Sequence, residues 1–133
     1  MNRPNLRINF KVVDASEMRD CQADDYWYDS EGVWQFRVVR MGNLLMEILV
    51  LIHALVEWSM CEVIGISEPE IKAFDDKFLA DQAAGKHPEN DEAGDHPDAP
   101  YRAQHIAATR AEKVVCRLFG IKWSVYAARF NEI

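Results

Sequence analysis

His53 and Glu57 are the residues of this chain best placed to do chemistry, because they lie four apart within a long apolar stretch. The stretch covers residues 43–64 (NLLMEILVLIHALVEWSMCEVI) and lacks proline and glycine, so it predicts a helix buried on most of its circumference. On that helix about 40° separates His53 from Glu57, and both lie opposite Glu47. We therefore expect His53 and Glu57 to point inward, and Glu47 and Glu62 to face solvent.

Two further helical segments carry metal-capable side chains on their apolar faces. Residues 67–84 begin with the capping box Ser-Glu-Pro-Glu, and Asp75 shares their apolar face whereas Asp76 is expected to face water. The third helix carries His105 at the edge of its apolar arc, with Glu112 two turns further along the same line. The arc expected to be buried consists of Tyr101, Ala108, Ala111, Val115, Leu118 and Phe119.

These side chains predict a metal site. Burying ionisable groups is costly unless they are paired or bind a metal, and imidazole and carboxylate are suitable zinc ligands. The candidate ligands for Zn²⁺ or another divalent metal are His53, Glu57, Asp75 and His105. The same pattern is also compatible with a simple hydrogen bond between His53 and Glu57 in the core, and with an Asp75 that caps a helix or pairs with an arginine.

The remaining segments define the predicted fold. Apolar residues alternate from Leu6 to Val12 as in a half-buried strand, and residues 26–28 and 33–39 flank a turn signal, Asp-Ser-Glu-Gly, that predicts a hairpin. Residues 123–130 predict a short closing helix. The expected helix caps are Asn43 and Gly65 for the central helix, Ser67 for the second and Asp98 for the third. We predict a single α+β domain, residues 1–133, with a small N-terminal antiparallel sheet (hairpin plus one strand) packed on three main α-helices around a buried central helix.

Composition argues against several classes of function. A net charge of −7 without a basic cluster argues against a nucleic-acid-binding surface. The central apolar stretch has too many ionisable groups for a membrane span, and the N-terminus (MNRPNLRINF) lacks a signal-peptide core. There is also no Gly-rich phosphate loop, no nucleophile elbow and no cysteine with an obvious activating histidine.

Cysteine usage and one acidic segment indicate the cellular compartment and a solvated part of the surface. Cys21, Cys61 and Cys116 are widely spaced and odd in number, and two of them lie within apolar helical patterns. We therefore expect buried free thiols and a cytosolic protein. The acidic segment 86–98 (KHPENDEAGDHPD) predicts a mobile surface loop without core contacts, in which the two histidines at 87 and 96 are solvated.

The chain resembles a family of uncharacterised proteins encoded by bacteriophages and prophages. The resemblance covers nearly the whole chain after the hairpin. It rests on His53-Ala54-Leu55-Val56-Glu57 followed by a Cys and a Gly-Ile, Phe74-Asp75, Ala99-Pro100-Tyr101 with His105, and Leu118-Phe119-Gly120-Ile121 with Trp123 and Tyr126. More distantly, a sheet followed by a helix with H-E-x-x-H or H-E-x-x-E resembles a minimal zincin metallopeptidase. In the phage family the residue after the His is usually Glu, whereas here it is Ala54.

The resemblance implies the same ligands but no peptidase base. In a zincin the Glu beside the first His activates the metal-bound water, and Ala54 has no proton-accepting group. Glu112 would then support His105 or replace the base. We expect a phage-encoded metal-binding protein of the host cytoplasm without peptidase activity. The alternative is a non-enzymatic accessory protein whose acidic surface inhibits a basic host protein, such as a nucleic-acid-binding defence component.

Overall fold

The computed structural model describes residues 5–133, which form a sheet followed by helices and so confirm the α+β class. The strands are β1 (Ile8–Val13), β2 (Asp24–Tyr28) and β3 (Trp34–Val39), and the helices are α1 (Leu44–Ile64), α2 (Glu68–Ala83), α3 (Arg102–Leu118) and α4 (Trp123–Arg129). Short 3-10 turns cover Ala15–Glu17, Ala93–Asp95 and Phe130–Glu132. The first four residues, part of the segment predicted to lack a leader peptide, lie outside the described residues.

The sheet has the order β1-β3-β2 and is mixed. β2 and β3 pair antiparallel, which confirms the hairpin, but β1 pairs with β3 in parallel, with Ile8 opposite Trp34. The prediction of a wholly antiparallel sheet is therefore wrong for β1. Alternating apolar residues determine which face of a strand is buried, but they do not determine the direction of its neighbour.

Helix α1 lies between the sheet and α3, and its predicted caps are confirmed. The Asn43 side chain accepts a hydrogen bond from the backbone N–H of Met46, and Gly65 has the left-handed φ of 86° that ends many helices. By length and composition alone this helix could cross a membrane, but half of its most apolar window is buried inside the fold. With ionisable side chains directed inward as well, α1 is typical of the core helix of a soluble protein.

Glu47 is buried, contrary to the prediction, whereas Glu62 is exposed as expected. The Glu47 carboxylate accepts hydrogen bonds from the backbone N–H groups of Met41, at 2.8 Å, and Gly42, at 3.3 Å. The chain that enters α1 folds back over this side of the helix and covers it. A helical wheel does not include that contact, because it depends on the path of the preceding loop.

Helix α3 differs from its prediction at both ends. Its N-cap is Tyr101 rather than Asp98, without a side-chain cap bond, and Leu118 is 78% exposed instead of buried. The buried face of α3 consists of His105, Ala108, Glu112 and Cys116. The predicted closing helix is confirmed as α4, whose Tyr126 is fully buried.

The acidic segment 86–98 contacts the core, so the prediction of a loop without such contacts is wrong. Ala93 and Gly94 are buried, and the turn that they form packs on α3. His87 stacks on Phe78 with 4.3 Å between the ring centroids, and His96 is half-buried near the same ring. Small residues allow the turn to approach α3 closely even though its neighbours are charged. The three cysteines are free thiols, and two of them, Cys61 and Cys116, are buried as predicted.

Candidate metal centre

Helices α1 and α3 bring four ionisable side chains together in the interior. His53 of α1 lies opposite Glu112 of α3, and Glu57 lies opposite His105, as expected for two antiparallel helices. None of the four is more than 8% exposed. The prediction that His53 and Glu57 point inward is confirmed.

Three donor atoms of this group converge on one point. Nε2 of His53 lies 3.3 Å from Oε2 of Glu57 and 3.2 Å from Nδ1 of His105, and the last two atoms are 3.0 Å apart. In a tetrahedral zinc site with bonds of about 2.0–2.1 Å, neighbouring ligand atoms are about 3.3–3.4 Å apart. His53, Glu57 and His105 therefore lie close enough to hold a metal ion.

The outer nitrogen of each imidazole faces a carboxylate. Nδ1 of His53 lies 2.9 Å from Glu112, and Nε2 of His105 lies 2.9 Å from Glu92 and 3.4 Å from Asp95. Each outer nitrogen donates its N–H to a carboxylate, so a neutral ring presents its inner nitrogen as a lone pair. Histidines that bind metals show this arrangement, because the outer carboxylate fixes the ring and makes it a better ligand.

Glu92, Asp95 and Nε2 of His105 form a second set of atoms that are close enough to share an ion. Both carboxylates are largely exposed to solvent, at 64% and 60% of their side-chain areas. The nitrogen that they face is the one that must keep its proton for the inner site to have a lone pair. We therefore interpret Glu92 and Asp95 as the groups that accept the outer N–H of His105 and fix its ring.

The inner group requires a positive charge. Burial lowers the pKa of His53, but hydrogen bonds with Glu112 and Glu57 outweigh it and raise the pKa to about 11. Burial also lowers the pKa of His105, but hydrogen bonds with Glu57 and Glu92 outweigh it and raise the pKa to about 9. At Glu57 burial favours a higher pKa, but the two histidines outweigh it and lower the pKa to about 2. Protons can supply the charge, but two imidazolium rings in contact repel each other. One divalent ion satisfies all three donor atoms at once.

Two buried tyrosines hold the carboxylates in position. The hydroxyl of Tyr26 donates to Oε1 of Glu57 at 3.0 Å, which leaves Oε2 directed at the histidines. The hydroxyl of Tyr126 donates to Oε2 of Glu112, which leaves Oε1 for His53. Burial and the adjacent carboxylates raise the pKa of both tyrosines far above the usual value, so both remain protonated donors.

Gly94 fixes the position of the His105 ring. A Cβ atom at this residue would lie 2.3 Å from Cγ and 2.4 Å from Nδ1 of that imidazole, closer than any real contact. The backbone of the 93–95 turn therefore packs directly against the ring, and only glycine fits there.

Asp75 lies outside the group of three donors. Its carboxylate accepts a hydrogen bond from the hydroxyl of Tyr101, and it lines a small cavity together with Glu57. Asp76 faces away and pairs with Lys72 at 2.7 Å. The predicted difference between the two aspartates is thus confirmed, while the structure does not bring Asp75 into the set that could hold an ion.

Replacing Asp75 by Asn is expected to flatten the pH dependence of stability. Burial raises the pKa of Asp75 from 3.8 to about 7, and the interactions with Tyr101 and Gln22 oppose this only in part. Because the folded state holds the proton more tightly than the unfolded state, this group makes stability fall as pH rises from about 4 to about 7, with no further loss above that range. Asn still accepts from Tyr101 but cannot ionise, so Asp75→Asn should stabilise the protein at pH 8 by up to about 4 kcal/mol.

Urea denaturation of the wild type and of Asp75→Asn at pH 5 and pH 8 measures this effect. The exposed Asp76→Asn is the matched control and should leave the pH dependence as in the wild type. Equal pH dependence in Asp75→Asn and the wild type would show that the buried carboxyl is not the cause.

Several supporting residues were not predicted from the sequence. Glu92, Asp95 and Gly94 lie in the segment whose charge indicated solvation, although its Ala-Gly pair was an available signal for a close contact. Glu112 contacts His53 and not His105, so the expectation that it would hold His105 is wrong. Asp24 also faces the site, and it lies in a stretch that has the composition of a loop but forms the start of β2.

The cavity beside Glu57 limits what the site can accommodate. It measures about 30 Å³ and is also lined by Asp24, Tyr26 and Asp75. That volume holds about one water molecule. The arrangement is therefore able to bind an ion and a water. Comparisons of the chain with protein-family models, with curated proteins and with solved structures found no match, so the geometry of this site is the basis for assigning a function.

Proposed function

We propose that the protein binds one divalent transition-metal ion, with Zn²⁺ the best match, through His53, Glu57 and His105. The observation that supports this most strongly is the convergence of three potential ligand atoms, two of them on imidazoles whose outer nitrogens each face a carboxylate. Two histidines and one glutamate are a known zinc ligand set, and zinc accepts both nitrogen and oxygen donors. The ion would connect α1 to α3 and, through Gly94, to the 93–95 turn.

The proposed role of the ion is binding and stabilisation without peptidase chemistry. Ala54 is fully buried and offers no base. Glu112, the other candidate for the base, faces the outer nitrogen of His53 and therefore lies on the side of that ring away from the converging donor atoms. His53, Glu57 and His105 are at most 8% exposed, which leaves a peptide little access to the converging donor atoms.

Zinc titration of the purified chain tests this proposal. We expect one ion per chain, and the apparent affinity should rise with pH by about tenfold per unit for each proton that zinc displaces from the histidines. Replacing His87, whose ring stacks on Phe78, should leave both results unchanged. A chain that retains no zinc after equilibration, or that binds it with the same affinity at pH 6 and pH 8, would contradict the proposal.

The resemblance to phage-encoded proteins, the cytoplasmic location in a host cell and the inhibition of a basic host protein stay predictions from the sequence. An inhibitory role would require tight association with a basic partner that weakens as salt concentration rises. Such an association is compatible with metal binding, since the exposed carboxylates and the buried site use different atoms.

A further inference from the structure

We infer that Asp24, at the start of strand β2, holds a water molecule beside the metal site. The inference rests on the proposed function, since it assigns a fourth component to the same site. Asp24 is a positioning residue here: it acts on the water and is not itself one of the three converging donors.

The position of Asp24 follows from the register of the sheet. Asp24 lies opposite Val38, and Tyr26 lies opposite Phe36, and both of these partners on β3 are fully buried. Residues two apart on a strand share a face, so Asp24 and Tyr26 are directed to the same side. The hydroxyl of Tyr26 reaches Glu57 at 3.0 Å. Asp24 is therefore on the face of the sheet that meets the metal site.

The carboxylate of Asp24 is half-buried, and within residues 5–133 it takes part in no side-chain hydrogen bond and no ion pair. Partial burial makes such an isolated charge costly. Burial raises the pKa of Asp24 to about 7, with the nearby histidines opposing the shift and Glu57 adding to it. A water molecule next to a cation would give this carboxylate both a hydrogen-bond donor and a compensating charge.

A cavity next to Asp24 has the size and the polar groups that one water requires. Asp24, Glu57 and Gln22 belong to its lining, its volume is about 30 Å³, and it is partly open to solvent on the side lined by Asp20, Glu68 and Lys72. The amide nitrogen of Gln22 is buried and lies near the Asp75 carboxylate, but it makes no hydrogen bond of normal length within the described part of the chain. A buried water usually makes two to four hydrogen bonds to such unsatisfied groups, and here it would accept from Gln22 and donate to Asp24.

Cobalt-substituted protein provides the test, because the visible absorption of Co²⁺ reports its coordination and does not require an activity. We expect Asp24→Asn to change this spectrum and to weaken Co²⁺ and Zn²⁺ binding by about 10–100-fold, as is typical when a group that supports a metal site is removed. Asp75→Asn is the matched control, since it removes another carboxyl from the same cavity, and its spectrum and affinity should stay within about twofold of the wild type.

The possible outcomes separate the inference from the proposed function. If the wild type binds neither Co²⁺ nor Zn²⁺, the proposed function fails. If it binds both ions and Asp24→Asn matches it in spectrum and affinity, the role of Asp24 is wrong while the metal site stands. Equal effects of Asp24→Asn and Asp75→Asn would also overturn the inference, because they would indicate only a general effect of charge. Should Asp24→Asn not fold, Asp24→Ser is compared in the same way.

Discussion

His53→Ala is expected to abolish the effect of chelators on stability and to weaken zinc binding at least about 100-fold. His53 supplies one of three converging donors, and two donors remain without it. Because the unfolded chain cannot preform the site, bound zinc adds its binding free energy to folding. At a free zinc concentration 100 times Kd this amounts to about 2.7 kcal/mol. For a chain of 133 residues, removing zinc from the wild type should then lower Tm by about 5–10 °C.

Thermal melts with zinc and with EDTA measure this effect, and affinity is measured separately by competition with a chelator of known Kd. The separate measurement is needed because His53→Ala also leaves Glu57 and Glu112 buried without a partner, which destabilises the protein with or without zinc. His87→Ala, which removes a histidine stacked on Phe78, should keep the full response to EDTA. A response to EDTA in His53→Ala equal to that of the wild type would place the ion elsewhere.

Gly94→Ala is expected to weaken zinc binding about as much as His105→Ala does. The added methyl would lie 2.3 Å from the ring of His105, so the ring must move away from His53 and Glu57. Overpacking of this kind also destabilises a protein by about 1–3 kcal/mol. Zinc competition and urea denaturation of the two variants measure the two effects.

A double-mutant cycle identifies the cause of the Gly94 effect. In a His105→Ala background the ring that the methyl would strike is absent, so Gly94→Ala should then have little effect on stability. An equal loss of stability in both backgrounds would mean that the backbone of the turn, and not its contact with the imidazole, requires glycine.

The sequence by itself determined the features that depend on neighbours along the chain. Asn43 and Gly65 mark the ends of α1 because capping uses side-chain and backbone atoms within one turn of the helix. The inward direction of His53 and Glu57 follows from the angle between residues on the same helix, and so does the difference between Asp75 and Asp76. These features could be read before any partner element was known.

Only the tertiary structure decided which groups meet. It paired Glu112 with His53 and placed Glu92 and Gly94 on His105. It also placed Asp75 in a hydrogen bond with Tyr101, outside the group of three donor atoms. Periodicity fixes the direction of a side chain about the axis of its own helix, but a distance of about 3 Å between side chains on different elements depends on how those elements pack. The contact of the loop with Glu47 and the parallel pairing of β1 also depend on packing. Each joins two segments whose relative position the local sequence pattern does not determine.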